Sequence, residues 1–363
     1  MAITQDYCDF ATGNDYKGAS FVDGAWTAAT HTLTKAGAFA ATKVNHWLYL
    51  EPNGGASFTA GYYRVATVPD ANSVTLASDP AVGNLTDVKC TQHDGTTTLP
   101  WRSLQGAFDL LTRNSSDGNQ VNLKAGVAQV NAAAIDLTVC AAGGALSEAA
   151  PLIIRGYTAT ANDGGYGEIN AGGFALFAAG SYAYVMLVDL YCHDFGDNNA
   201  IALGANCVVM RCKVTRGAST PSLKTMVSVG AQGLIAGNYV YGGGTNTWAI
   251  NPSGACVIIG NYVEGFEYVG IKMPVDNSVI ANNIIRMSGV NSYGIRISAL
   301  AGVHIFGNIV YSPDANTKNG IWLAESAGQQ AISCFNNIVC GISGAWGVGI
   351  GTSTGTTLPF GGY

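Results

Sequence analysis

The second half of the chain is a repeat. Seven segments align on a short apolar run that ends at one anchor position, and the anchors are Asp189, Cys212, Asn238, Asn261, Asn283, Asn308 and Asn337. Successive anchors lie 22 to 29 residues apart, and a polar or Gly-rich turn and a second short apolar segment follow each of them. Repeats of this length with two or three strands and no helix are typical of the coils of a β-solenoid.

The repeated asparagines have a physical explanation in such a fold. Successive coils are about 4.8 Å apart, so equivalent side chains stack along the solenoid axis. Stacked amides can hydrogen-bond to one another. The sequence therefore predicts a structural ladder at a buried corner, built from Asn238, Asn261, Asn283, Asn308 and Asn337. A row of asparagines lining a ligand site is the alternative.

The composition agrees with a strand-rich chain. Charged residues make up 11% and hydrophobic residues 48% of the 363 residues, so the chain can bury a large core and is not intrinsically disordered. The 48 glycines do not follow the period of collagen. The net charge is −6 and the lysines and arginines do not cluster, which argues against nucleic acid as a partner.

The anchor segments GNYV, GNYV, ANNI, FGNI and FNNI, each followed by a strand of the G-I-x-I/L/M type, carry a family resemblance. They resemble the right-handed parallel β-helix superfamily, which includes pectate lyases and phage tailspikes. The resemblance covers roughly residues 185 to 350 and implies an all-β, right-handed parallel β-helix over residues 119–363. It leaves the activity open, because this fold carries enzymes, adhesins and inert virion parts alike.

The first third of the chain has a different pattern. Alternating segments between residues 20 and 97, separated by turns such as PNGG and PDAN, predict a small antiparallel β module. Residues 100–112 predict a short amphipathic helix with Ser103 as its N-cap, similar to the helix that covers the open end of many β-helices. We therefore expect a β-rich attachment module over 1–99 and a capping helix and turn over 100–118.

Two groups of acidic residues are candidates for catalysis, since a polysaccharide hydrolase needs two carboxylates about 5 to 10 Å apart in one cleft. His193, Asp194 and Asp197 lie in CHDFGDNN, a composition that is equally typical of a turn. Glu264 and Glu267 lie in EGFEY, where a solvated corner is the alternative. Neither a dense acidic array for calcium nor a zinc-ligand spacing is present, so we expect no metal and no cofactor.

A third candidate site follows from aligning the second strands GIKMP, GIRIS and GIWLA. Their apolar residues should point inward, which places Lys272, Arg296 and Trp322 in one outward column on successive coils. The other members of this column would be the small residues Ala202, Ser228, Ala249 and Gly349. Two cations and an indole on such a face suit an acidic sugar. They are equally typical of a subunit interface or of a surface Arg–Trp stack.

Cysteines and hydropathy bear on the compartment. The nine cysteines are an odd number without a CxxC pair, which favours free thiols in a reducing compartment. The first ten residues have neither the basic nor the apolar region of a signal peptide. The uncharged stretch between Glu168 and Asp189 is broken by Gly180-Ser181, so it predicts two strands and not a membrane helix. We expect no membrane insertion.

These features lead to one main hypothesis and two alternatives. The main hypothesis is a bacteriophage virion protein, such as a tailspike, fibre or capsid-decorating β-helix, assembled in the host cytoplasm. Its expected partners are other virion proteins, copies of itself (a trimer would resemble the tailspike pattern) and a host surface polysaccharide. The first alternative is a lyase or glycoside hydrolase acting on an acidic bacterial polysaccharide, so the question of enzymatic activity stays open. The second is an exported adhesin.

Overall fold

The structure is a computed structural model that describes residues 3–52, 59–80, 83–96, 100–111, 114–137, 146–177, 182–216, 224–244, 247–288, 292–298, 301–313, 317–323 and 332–352. Within these ranges the chain is almost entirely β, with parallel sheets stacked as a β-solenoid and one short α-helix. The all-β solenoid with a small β module and a short helix, which the sequence predicts, is therefore confirmed.

Three parallel sheets form the walls of the solenoid. Sheet 1 contains the strands Thr4–Cys8, Asn119–Lys124, Leu152–Tyr157, Val185–Val188, Val208–Met210, Gly233–Ala236, Cys256–Ile259, Val279–Ala281, His304–Phe306 and Ser333–Phe335. Sheet 2 contains Gln129–Val130, Gly167–Asn170, Leu190–His193, Lys213–Thr215, Tyr239–Gly244, Tyr262–Phe266, Ile284–Arg286, Ile309–Tyr311 and Ile338–Cys340. Sheet 3 contains Ile201–Ala202, Thr225–Ser228, Trp248–Ile250, Val269–Met273, Tyr293–Ile297, Thr317–Leu323 and Ser343–Thr352.

The interior of the solenoid is a stack of aliphatic side chains. Side chains alternate between the two faces of each strand, so one residue in two points inward. In sheet 1, the inward residues of successive coils pair in register and are fully buried; they include Leu187, Val209, Ile235, Ile258 and Ile280. Each buried side chain of this size contributes roughly 1.5–3 kcal/mol. Stability therefore constrains the inward residues, whereas the outward residues of the three sheets can carry function.

The ladder asparagines lie at the corner between sheets 1 and 2. The Nδ2 of each one donates to the Oδ1 of the next at 2.9 Å, and its main-chain N–H donates to the same oxygen at 3.0 Å. The residue before each asparagine is a glycine or another asparagine with φ between 51° and 68°. These two residue types adopt left-handed backbone at low cost, which explains the repeated Gly-Asn and Asn-Asn pairs.

The first anchor of the repeat was misplaced by one residue in the sequence alignment. Val188 pairs with Met210, so the next residue, Asp189, lies beside Arg211 and not beside Cys212. Asp189 has a φ of 54° and occupies the left-handed corner position itself. Arg211 binds its carboxylate through Nε at 2.7 Å and NH2 at 2.8 Å. A charged pair thus occupies the corner in the early coils, before the asparagine ladder begins.

A closed antiparallel β-barrel precedes most of the solenoid. Its strands, in the order in which they pair, are Phe21–Thr27, Thr32–Thr34, Ser73–Leu76, Gly61–Asp70, Trp47–Pro52 and Leu85–Cys90, and a 3-10 helix spans Ala28–Thr30. Closure leaves the barrel without free strand edges. The barrel has its own hydrophobic core, separate from that of the solenoid, which includes Trp26, Leu33, Phe39, Leu48 and Val65.

The boundary expected at residue 99 does not separate these two cores. Thr4–Cys8 pairs in parallel with Asn119–Lys124 and is an edge strand of sheet 1. The α-helix Leu104–Leu110 begins at Ser103, whose Oγ accepts a hydrogen bond from the Gly106 N–H, so the predicted N-cap is confirmed. The apolar side of the helix belongs to the solenoid core, and the helix therefore covers its lower end.

No helix among the described residues is both long and apolar enough to cross a membrane. Strands Gly167–Asn170 and Val185–Val188 lie at the two ends of the uncharged stretch. The predicted break at Gly180-Ser181 falls outside the described residues.

Candidate functional site

The outward side of sheet 3 brings together the two cations and the indole singled out in the sequence. Strand pairing places Lys272 beside Arg296, and Arg296 beside Trp322, on successive coils. Each of the three side chains is partly buried. Because neighbouring strands are about 4.8 Å apart, the two cationic side chains start from adjacent positions.

Two of the small residues expected in this column are not in it. Ile250 pairs with Ile271, so Asn251, and not Ala249, is next to Lys272. Ala249 is fully buried. At the other end of the column, Trp322 pairs with Gly351 and not with Gly349. The predicted positions differ from the observed ones because these strands are short and rich in small residues. Two strand registers therefore fit the sequence equally well.

An aromatic ring covers the first cation. The Nζ of Lys272 lies 3.9 Å from the centre of the Trp248 ring, which is cation–π geometry. Burial lowers the pKa of Lys272, and the positive charge of Arg296 lowers it further. The two cations therefore repel each other in a partly desolvated environment.

Further rings surround the second cation. The Cζ of Arg296 lies 5.2 Å from the Tyr293 ring centre and 6.0 Å from that of Tyr268. Its NH1 donates to the Tyr268 hydroxyl at 2.9 Å. The Trp322 ring is 6.1 Å from the Tyr293 ring, so aromatic surface continues to the next coil. We call this surface the aromatic–cation face; it comprises Trp248, Asn251, Tyr268, Lys272, Tyr293, Arg296 and Trp322.

Several polar atoms of the aromatic–cation face are buried without a hydrogen-bond partner in the described part of the chain. They are the Nε of Arg296, the indole Nε1 of Trp248 and the Oδ1 of Asn251. The ion pairs found among the described residues include neither Lys272 nor Arg296. The face therefore combines two positive charges with N–H donors that have no partner among the described residues. This combination suits a polar, anionic ligand.

On the outward side of sheet 2, the structure brings together His193 and Asp194 of the predicted group. The His193 Nδ1 lies 2.9 Å from Asp194 Oδ2, and its Nε2 lies 3.1 Å from Glu168 Oε1. Asn170 donates to Asp194 at 2.7 Å. One imidazole thus lies between two carboxylates, an arrangement that can move protons. The sequence search missed Glu168 and Asn170, although both lie one coil length before the predicted residues.

Asp197 is not part of this group. It lies in the exposed turn that follows, beyond Asp194. Burial lowers the pKa of the Arg216 guanidinium, and the negative charge of Asp197 partly opposes that shift. Its place in the structure is therefore beside a buried cation and not beside His193.

Glu264 is held by three donors. It accepts hydrogen bonds from the hydroxyls of Tyr239 at 2.7 Å and Tyr262 at 3.3 Å, and from Arg286 NH1 at 3.0 Å. Burial alone would raise its pKa, but the bonds from these donors outweigh burial and hold the pKa below its usual range. A carboxylate stabilised in this way is a poor proton acceptor. Glu267 is exposed, outside this set of contacts.

No group of three or more His, Cys, Asp or Glu side chains in the described ranges is arranged to hold a metal ion.

No model of a known protein family matches the sequence, and no curated protein matches it. One similar solved structure is the Gp54 tailspike of Acinetobacter baumannii bacteriophage AP22 in complex with A. baumannii capsular saccharide. The sequence identity is 10% and the TM-score 0.19, over 98% of this chain and 68% of that chain.

Proposed function

We propose that this chain binds an acidic bacterial polysaccharide on the aromatic–cation face of sheet 3. The observation that carries the proposal is the adjacent pair of Lys272 and Arg296, which have no carboxylate partner among the described residues. Two like charges on neighbouring strands repel each other, and an anion bound between them relieves the repulsion. The carboxylate of an acidic sugar is such an anion.

The aromatic rings favour a sugar over a small inorganic anion. Ligand sites combine aromatic surface with a few polar groups, and the apolar side of a pyranose ring packs on an indole or phenol in the same way. The face extends from the coil of Trp248 to that of Trp322, three coil spacings or about 14 Å. A stretch of a polysaccharide chain lying along the solenoid axis fits this length.

We also propose that the chain is a virion-associated protein of a bacteriophage, assembled in the host cytoplasm, with the barrel as its attachment module. The cysteines support this origin, because all those described are free thiols, as in proteins that fold in a reducing compartment. Cys140 lies outside the described residues. The barrel supports the attachment role, because it has a core of its own and lies at the end opposite to the upper coils of the solenoid.

A second candidate function is cleavage of the polysaccharide. The observation that favours it is His193 between Glu168 and Asp194, since glycoside hydrolysis uses two carboxyl groups in acid and base roles. These residues are on sheet 2, whereas the aromatic–cation face is on sheet 3. Cleavage is measured on acidic and neutral polysaccharides by new reducing ends and by the ultraviolet absorbance of unsaturated uronates. Release that is lost in Glu168→Gln and Asp194→Asn would support this function.

Equilibrium binding to a panel of acidic and neutral bacterial polysaccharides tests the main proposal. We expect binding to an acidic member and a loss of about tenfold or more in Lys272→Met, the size of one charge-assisted contact. Lys213→Met is the matched control, because Lys213 also lies over an aromatic ring, Tyr191 at 4.4 Å, but on sheet 2. Equal losses in both variants, or binding without preference for acidic chains, would contradict the proposal.

A further inference from the structure

The outward side of sheet 1 carries a continuous apolar column. Ile153, Met186, Val208, Leu234, Val257 and Val279 pair in register on successive coils. A second column runs beside it and contains Met210, Ala236, Ile259, Ala281, Phe306 and Phe335, among which Ala281 is covered by its neighbours. We call these two columns the apolar stripe.

The apolar stripe differs from the outward sides of the other two sheets. Sheet 2 presents Lys213, Glu264 and Arg286 to solvent, and sheet 3 presents Lys272 and Arg296. No strand of sheet 1 from Val185–Val188 to Val279–Ala281 contains a charged residue. A solvent-facing sheet normally alternates apolar and polar residues. The strands of sheet 1 do not alternate in this way over five consecutive coils, and a continuous apolar surface of this kind is typical of an interaction site.

The size of the stripe suits a protein partner. Each column has six apolar residues and spans five strand spacings, about 24 Å, and each is roughly 7 Å wide. The first column continues as His304 and Ser333 on the last two coils. The apolar part is on the order of 350 Å² per molecule, against about 800 Å² per partner in a standard interface. An interface of that size therefore includes the turns that flank the stripe.

Charge favours a second copy of the same chain as the partner. The chain has a net charge of −6, so two copies repel each other wherever charged faces meet. On the strands of the stripe from Val185–Val188 to Val279–Ala281, no charged residue opposes such contact. Charged residues are depleted at the centres of protein interfaces, and especially in contacts between identical subunits.

The shape of the stripe also favours a second copy. At the lower end, a recess of about 440 Å³ beside the first column is lined by Tyr184, Met186 and Val208 together with Glu148, Pro151, Asn206 and Gln232. At the upper end, Phe306 and Phe335 of the second column stack with ring centres 5.2 Å apart, and Phe335 is 49% exposed. When two copies pack with opposite axial directions, the phenylalanines of each cover the second column on the lower coils of the other. A twofold interface has this self-complementary form.

From these observations we propose that the chain self-associates through the apolar stripe of sheet 1, packed against the same stripe of a second copy. Leu234 and Val257 lie on the two middle coils of the eight from Ile153 to Phe335, so each lies beside the twofold axis and faces the other residue in the second copy. This inference rests on sheet 1 alone and does not depend on polysaccharide binding by sheet 3.

Analytical ultracentrifugation of the full chain between about 1 and 100 µM tests the proposal. We expect the mass of the wild type to rise to that of an oligomer with concentration. Val257→Lys places one ammonium group of each copy in an apolar, desolvated contact, about one coil spacing from the other, and the dissociation constant should rise at least tenfold. Leu234→Lys, one coil away, should have the same effect and guards against a folding defect peculiar to one variant.

The matched control is Ile284→Lys. Ile284 is an outward aliphatic residue of sheet 2 with an exposed fraction of 39%, against 37% for Val257. This variant should associate as the wild type does, and all variants should retain the wild-type circular dichroism and polysaccharide binding per chain. A wild type that is monomeric at the highest concentration would overturn the proposal. So would equal association of the Val257→Lys and Ile284→Lys variants.

Discussion

The Nδ2 group of Asn261 donates a hydrogen bond of 2.9 Å to the Oδ1 of Asn283, one coil further along the solenoid. The same oxygen accepts the main-chain N–H of Asn261 at 3.0 Å. Both side chains are at most 1% exposed, so water cannot replace either bond. One amide thus satisfies two donors of the neighbouring coil and fixes the spacing between coils.

Replacing Asn283 with alanine should be strongly destabilising. The change removes the acceptor of the buried Asn261 main-chain N–H and the bonds that Asn283 Nδ2 donates to the Ile258 carbonyl and to Asn308, and we expect the free energy of unfolding to fall by about 2–4 kcal/mol. Chemical denaturation measures this value. Asn337→Ala, at the less buried end of the ladder, should cost clearly less. Equal losses at the two positions would show that the ladder is not the cause.

The corner residue Gly260 gives a second prediction. Its φ is 68°, and a Cβ added there would meet no atom closer than 3.9 Å. Gly260→Ala therefore tests backbone strain without a steric clash, and it should cost about 1–2 kcal/mol. Gly260→Asn should cost less, because Asn282 and Asn336 occupy equivalent corners in other coils. Thermal melting of the two variants compares them directly, and a melting point for the asparagine variant at or below that of the alanine variant would contradict this account.

The lower end of the solenoid should be sensitive to pH. Burial raises the pKa of Asp6 to about 6, despite the opposing hydrogen bond from the Trp101 indole. The folded state therefore holds this proton more tightly than the unfolded state, so stability falls as the pH rises from about 4 to 6 and stays lower above that range. We expect Asp6→Asn to remove this slope and to stabilise the chain at pH 7 by on the order of 2 kcal/mol.

Asp9 provides a control of opposite sign in the same region. Burial opposes its ionisation, but hydrogen bonds from Lys124 and Thr12 outweigh burial and lower its pKa. Its contribution to stability is present at neutral pH and is lost as the pH falls below 4. Asp9→Asn should therefore destabilise the chain at pH 7. The free energy of unfolding of both variants is measured between pH 3 and 8. If the two substitutions changed its pH dependence in the same direction, the opposite pKa shifts of Asp6 and Asp9 would be contradicted.

Trp322 separates the possible roles of the aromatic–cation face. Trp322→Ala removes an aromatic surface at the end of the face, and we expect a loss of roughly tenfold in polysaccharide affinity from the apolar area no longer buried. Self-association should not change, because Trp322 is on sheet 3. Tyr166→Ala, at an aromatic residue 49% exposed elsewhere, is the control. Unchanged binding and unchanged association would leave Trp322 as a surface stack without a ligand.

The architecture was predictable because it repeats. The Gly-Asn and Asn-Asn pairs predict the corner geometry, and the aliphatic positions predict the buried core. Because every coil repeats both patterns, each coil supports the same prediction. Single-residue register was harder to predict. Asp189, Ala249 and Gly349 were each misplaced, because coil lengths vary and a three-residue strand has too few side chains to fix its alignment.

Contacts between segments that are far apart along the chain were harder to predict. Thr4–Cys8 pairs with residues more than a hundred positions away and resembles no repeat, so nothing local marks it as a solenoid strand. Trp248 and Tyr293 belong to the aromatic–cation face but lie outside the column of Lys272 and Arg296. Glu168 lies 25 residues before His193, so no motif within a single turn contains both, although the repeat length predicts their contact.

The pairing of Thr4–Cys8 with Asn119–Lys124 affects the order in which the chain can fold during translation. The first strand leaves the ribosome long before its partner, and the whole barrel emerges in between. Once the barrel has closed, it acts as a folded insertion that shortens the effective loop between the two strands and lowers the entropy lost when they meet. A slow-folding barrel would therefore delay the start of the solenoid, even though the two share no core.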